Sequence, residues 1–202
     1  MSFMSPNSLH KKLIAAGIVP ERARLLSRGR AVWTEGELSM TLILWKKPGD
    51  KLGWRHYTGD GVLGPKLLDF GGLSVSVDPI RPPDLAWPSS GAPLDDEVEQ
   101  APLPAQTFVT DRRDLAAILS SEQEIRRGDQ TTDLSIGGYP GRLINALIIA
   151  RDAGASDIEH EVIAKLHSEM TLESDGQRVD VLQDAKYWAK QYEKALGFAI
   201  PL

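Results

Sequence analysis

The stretch Tyr139-Pro140-Gly141-Arg142-Leu143-Ile144-Asn145-Ala146-Leu147-Ile148-Ile149-Ala150-Arg151-Asp152-Ala153-Gly154 decides the fold of this 202-residue chain. Pro140 suits a first helical turn, where its missing N–H costs nothing, and Gly154 suits the left-handed residue just past a helix end. Between them apolar residues fall on nearly every side of the helical wheel, which predicts a buried helix with partners on more than one face. Two partners follow directly. Ser156-Asp157-Ile158-Glu159 reads as a capping box, Ser156 capping and Glu159 reaching back, ahead of a helix with Ile158, Val162, Ile163, Leu166 and Met170 on one side. Beyond Ser174-Asp175-Gly176, the residues Leu182, Ala185, Ala189, Tyr192 and Leu196 recur at spacings of three and four, a packing seam. Upstream, Thr110 is the expected N-cap of a helix over 111–121 with Leu115, Ile118 and Leu119 on its face, and 122–133 reads as polar and turn-rich. Residues 107–202 are therefore expected to form a four-helix bundle that folds alone.

The N-terminal part changes period twice. A short helix over 8–16 carries Leu9, Leu13 and Ile14, and a second is expected from Pro20, with Leu25-Leu26 inward, Gly29 ending it, and Arg22, Arg24, Arg28 and Arg30 outward. From Ala31 the pattern becomes that of strands. Leu38, Met40, Leu42 and Leu44 alternate with Ser39, Thr41 and Ile43 up to a Pro48-Gly49-Asp50 turn, and 54–58 reads as the hairpin partner. Further short strands are expected over 66–70 and 73–77, the latter with Leu73, Val75 and Val77 on one face.

Residues 78–106 hold seven prolines and the acidic run Asp95-Asp96-Glu97-Val98-Glu99, the composition of an extended linker or of a long surface excursion. Trp87 within it is expected to pack back on a domain. The predicted class is α+β: a basic module over 1–77 with a helical hairpin and a small antiparallel sheet, a Pro-rich acidic connector over 78–106, and the helical bundle over 107–202. Charge follows the same division. The net is +5 over 1–77, −5 over 78–106 and −5 over 107–202, so the basic part is expected either to meet an anionic partner or to dock on its own acidic remainder.

The absence of cysteine excludes a disulfide framework, a thiolate metal site and a cysteine nucleophile, and fits a cytoplasmic, soluble protein. No signal-like or membrane-spanning run is expected. Enzymatic motifs fail on spacing or context. His160-Glu161 has Ala164 where a zinc-peptidase helix needs its second histidine, and His167 lies about 10 Å further along the axis. Gly59-Asp60-Gly61 lacks the Lys-Ser/Thr of a phosphate loop, and Glu122-Gln123-Glu124 is a triplet common by chance. Two helix-turn-helix outlines, one over 8–29 and one around Gly154, are outweighed by plain helical hairpins; the second would lead into the groove with Asp157, Glu159 and Glu161. No metal or cofactor is expected.

Two clusters remain. His56 with Asp60 and Asp69, among Arg55, Tyr57 and Lys66, has the residue types of a general base with its orienting partner, or of a Mg²⁺-dependent nuclease. The interleaved Trp45, Lys46, Lys47, Lys51, Trp54 and Tyr57, with Arg22, Arg24, Arg28 and Arg30, have the types that stack bases and follow a phosphate backbone. The leading expectation is a non-enzymatic interaction protein with another protein as partner; a nucleic-acid-binding protein comes next, and a hydrolase third.

Overall fold

A computed structural model describes residues 2–27, 29–66, 73–94, 108–133, 141–168, 172–174, 177–179 and 181–196. In chain order these form α1 (Pro6–Ala15), β1 (Arg24–Leu26), β2 (Arg30–Glu35), β3 (Leu38–Lys47), β4 (Lys51–Asp60) and β5 (Ser74–Pro79). Then follow α2 (Arg112–Ser120), β6 (Arg126–Arg127), β7 (Gln130–Asp133), α3 (Gly141–Asp152), α4 (Ser156–Ser168), β8 (Leu172–Ser174), β9 (Gln177–Val179) and α5 (Val181–Leu196). The fold is α+β. Seven strands make one antiparallel sheet in the order β1-β2-β3-β4-β5-β7-β6, and β8 pairs with β9 apart from it. Among the described residues no helix is long and apolar enough to cross a membrane.

Partners in an antiparallel ladder share a face, so register sorts the side chains. One face collects Ala31 and Trp33, then Leu38, Met40, Leu42 and Leu44, then Leu52, Trp54, His56, Thr58 and Asp60, then Val75 and Val77, all buried. The alternation read from 38–44 is the alternation found. This face joins a single apolar core with Leu9 and Leu13 of α1, Leu115, Ile118 and Leu119 of α2, and the buried residues of α3 and α4. Leu143, Ile144 and Ala146 to Ala150 are fully enclosed, as the apolar wheel of α3 requires, and α3 touches α2, α4 and α5. The element that joins helices to sheet is α2, which packs on β4 and β5 as well as on α3 and α4.

Several expectations need correction. The second helix expected from Pro20 is a single turn, Ala23 N–H to Pro20 carbonyl at 2.9 Å, followed by β1. The N-terminal helical hairpin, and with it the first helix-turn-helix outline, is replaced by a β1–β2 hairpin closed around Gly29. Gly29 sits at φ 70°, a value that ends a helix or turns a hairpin equally well. A Cβ there would stand 2.5 Å from Pro6 Cβ and 2.6 Å from the Leu44 carbonyl oxygen. Its carbonyl also accepts from Leu44 N–H, at 2.9 Å, and lies 2.7 Å from His10 Nε2. The residue thus pins α1 to the sheet.

The N-cap of α2 is Asp111, whose carboxylate accepts from Asp114 N–H at 2.8 Å, one residue later than Thr110. Glu159 bonds Arg151 at 3.1 Å instead of reaching back to Ser156. The stretch 122–133 contains the β6–β7 hairpin, and β7 pairs with β5, so the sheet runs across the divisions placed at 77 and 107. Lys66 ends a 3₁₀ turn. The rest of the strand expected over 66–70, the acidic run 95–99 and Met170 lie outside the described residues.

Residues 79–94 are bound closely to the sheet. Leu85 and Trp87 are buried, Leu52 N–H donates to the Leu85 carbonyl at 2.8 Å, and Trp87 Nε1 donates to the Met4 carbonyl at 2.9 Å. Trp87 packs back, as expected of it.

Candidate functional site

His56 and Asp60 do not converge. His56 is 3% exposed on the core face, with its ring 5.8 Å from that of Trp33 and its Nδ1 without a hydrogen-bond partner among the described residues. Burial lowers its pKa to about 4, so the ring is neutral near pH 7. Asp60 lies four residues along the same face of β4, about 13 Å away at strand rise, too far to orient the imidazole. Both its oxygens are already engaged. Oδ1 accepts from the N–H groups of Val62 (2.8 Å) and Leu63 (2.7 Å), and Oδ2 accepts from Arg112 Nε at 2.7 Å. Arg112 in turn donates to Asp152 at 2.5 Å. Asp69 lies outside the described residues. Among the described residues His56 is thus part of the core and Asp60 of a buried ion network. Among the described residues no three His, Asp or Glu side chains are grouped to hold a metal ion.

The opposite face of the sheet is different in kind. No helix of the described residues lies on it; Val32, Thr41, Ile43, Arg55 and Tyr57 are half-buried there, Arg24, Arg30, Trp45 and Lys47 are exposed, and Ser76 of β5 is buried. Cross-strand rows put Arg24 beside Val32, Thr41 and Tyr57, and Arg30 beside Ile43 and Arg55. Further rows pair Trp45 with Gly53 and Lys47 with Lys51. At a strand spacing of about 4.8 Å, Arg30 and Arg55 stand about 10 Å apart.

Of the cations named from sequence, Arg24, Arg30 and Lys47 are on this face, exposed, and make no ion pair among the described residues. Arg22 is paired with Glu35 and bonded to the Thr34 carbonyl. Lys46 belongs to the other face. It pairs with Asp50 at 2.6 Å and sits 3.6 Å over the Phe3 ring. Trp54 is likewise inward, 9% exposed, opposite Leu44. Arg28 lies outside the described residues. Lys51, on the uncovered face, pairs with Asp84 at 2.8 Å.

Trp45 is the exposed aromatic of this face, at 37%. Its position depends on Gly53: a Cβ at that residue would stand 2.6 Å from the indole Cε2 and 2.7 Å from Nε1, and 2.7 Å from Lys47 Cε. The indole and the lysine stem therefore lie over the bare backbone of Gly53, with the Lys47 ammonium 5.8 Å from the ring centroid.

Beside the indole the sheet forks. β4 pairs with β5 from His56 to Gly59, and the chain returns to β4 only at Lys51, opposite Ala86. Pro79 ends the β5 ladder because it has no N–H to donate, and Pro82-Pro83 carry the chain outward. The gap is a cleft of about 190 Å³ between Trp45, Lys47 and Arg55 on one side and Asp78, Pro82 and Pro83 on the other. That is below the roughly 300 Å³ at which small-molecule pockets begin, and suits a single ring or side chain. Arg55 lies 3.6 Å from Asp78 and 3.5 Å from Asp133. Burial raises the Asp78 pKa despite the opposing pull of Arg55, the Ser76 hydroxyl and Lys47. A second groove, between the end of α2 and α4, holds Lys165, but that ammonium is bonded to the Ser120 carbonyl and to Glu161.

Trp45 and Lys47 were readable from sequence once the core alternation of 38–44 was fixed, since the odd positions of β3 must face the other way; Arg24 and Arg30 were expected on a helix and reach this face through β1 and β2. The seat at Gly53 and the cleft wall of Asp78 and Pro82-Pro83 were not readable. The described residues make an α+β protein in which helices pack on one face of the sheet and the other face, basic and aromatic, carries none of the described helices. No protein-family model, curated protein or solved structure matches the chain.

Proposed function

We propose that this is a non-enzymatic binding protein that takes nucleic acid on the uncovered face of its sheet. The observation that carries the reading is the placement of Arg24, Arg30 and Lys47 on that face without ion-pair partners among the described residues, in a chain of net charge −5. Cations left uncompensated in an acidic protein favour a polyanion, and each phosphate they neutralise releases condensed counterions. The sequence's first expectation, a protein partner, has no comparable feature behind it. The hydrolase reading loses support because His56 is enclosed and Asp60 is held by Arg112.

The reading is tested by fluorescence anisotropy of a labelled 20-nucleotide strand titrated with the full chain at 50 mM salt. Binding is expected, and Arg24→Glu with Arg30→Glu should weaken it at least 10-fold while the thermal midpoint stays unchanged. An affinity indifferent to the double reversal would remove the face from the account.

A further inference from the structure

Trp45 gives the face a second chemistry that charge alone does not explain. An indole left 37% exposed near the β3–β4 turn keeps part of its ring in water, and burying it on a partner is favourable. The glycine beneath it, Gly53, lets the ring lie against backbone, and Lys47 closes over the same glycine. The ring is thereby positioned before any ligand arrives, so little side-chain freedom remains to be lost on binding. Next to it the cleft has space for one flat ring, with Arg55 and Lys47 at its border and two prolines opposite.

We infer that unpaired bases stack on Trp45, with one base entering the cleft between Trp45 and Pro82-Pro83, so that the ligand of this face is single-stranded nucleic acid. The inference rests on the nucleic-acid reading above and adds strandedness to it. Bases in a duplex are already stacked on each other and cannot offer a free π-face to the indole, whereas in a single strand every base can. Arg24 and Arg30, on the rows that lead away from Trp45 toward β1, follow the phosphates of the same strand. Asp78 and Asp133 beside Arg55 hold that guanidinium in place and keep the cleft itself from being a phosphate site. The cleft is thus read as the base side of the strand, and the β1–β2 rows, with the Lys47 ammonium at the rim of the cleft, as its backbone side. Gly53 is a positioning residue: it touches no ligand and acts by seating the indole.

The test compares four probes on the full chain: oligothymidylate, a duplex of equal length, inorganic polyphosphate and polyglutamate. The single strand is expected to bind at least 10-fold more tightly than the other three. Trp45→Ala should weaken single-strand binding by about 5- to 100-fold, the range for loss of one stacked base, and change duplex and polyphosphate binding less than 2-fold. Trp45→Phe should retain most of the affinity. Gly53→Ala, which removes no charge but displaces the indole together with the Lys47 stem, should weaken single-strand binding at least as much as Trp45→Ala does; its thermal melt reports that the fold is intact. Equal binding of duplex and single strand, or equal losses on all probes in Trp45→Ala, overturns the stacking inference and leaves the nucleic-acid reading standing. Polyglutamate binding as tight as the single strand and as dependent on Trp45 reassigns the face to an acidic protein segment. No binding of any nucleic acid overturns both.

Discussion

Arg112, in the first turn of α2, donates through Nε to Asp60 at the end of β4 at 2.7 Å, and neither side chain is more than 5% exposed. This pair joins the helical layer to the sheet across 52 positions of sequence, and Asp152 extends it to the C-terminal end of α3. Asp60→Ala would leave a buried guanidinium short of one partner and would remove the acceptor of the Val62 and Leu63 N–H groups. The expected cost is about 3–5 kcal/mol, measured by urea denaturation. Arg113→Ala, which breaks the exposed pair with Asp157, should leave the midpoint where it was. A small effect at Asp60 would mean that the network is open to water.

Leu147→Ala probes the middle of α3. The side chain is fully buried in the core, so truncation should cost about 2–5 kcal/mol in transfer and cavity energy. A loss under about 1 kcal/mol would place Leu147 at the surface.

The sheet and the helical layer share a core, and β7 pairs with β5. Residues 107–202 expressed alone would lack the partner strand of β7 and the Asp60 carboxylate that meets Arg112. They are expected to show helical circular dichroism without a cooperative thermal transition. A sharp melt near that of the full chain would restore the independent bundle that sequence patterning suggests.

That patterning succeeds where burial dictates a long apolar run, on one face as in β3 or all round as in α3. It misses β6 and β7 because Arg126-Arg127 and Gln130 to Asp133 are short and polar at the sheet margin, held by ladder bonds and not by an apolar stripe. It misreads 20–26 because Leu25-Leu26 before a positive-φ glycine satisfies a helix end and a hairpin alike. For the site, alternation separates Trp45 and Lys47 from Lys46 and Trp54. Which arginines are neutralised depends on register: Glu35 reaches Arg22, and among the described residues no carboxylate pairs with Arg24.

Stability should depend on pH through His56. The folded-state pKa, lowered by burial to about 4, lies below the roughly 6.5 of an unfolded histidine. Above about pH 6.5 the ring is neutral in both states. Between 6.5 and 4 the unfolded chain binds a proton that the folded one does not. Stability therefore falls as pH drops through that window, by up to about 1.4 kcal/mol per unit, and this contribution levels off below pH 4. His10, also lowered by burial and only partly offset by its bond to Gly29, acts with the same sign. His56→Phe should flatten the profile in urea melts between pH 7 and 4.5. An unchanged slope would mean that His56 reaches solvent.

The central claim, that uncompensated cations of the uncovered sheet face hold a nucleic-acid strand, is tested most directly by the salt dependence of binding. With three cations neutralising phosphates, log K plotted against log salt should have a slope of about −2, a roughly 20-fold loss between 50 and 200 mM for a single strand. In Arg24→Glu with Arg30→Glu the slope should fall to about −0.7 or flatter, because only Lys47 remains. A slope near zero in the unaltered chain, or a steep slope that the double reversal leaves intact, would contradict the account.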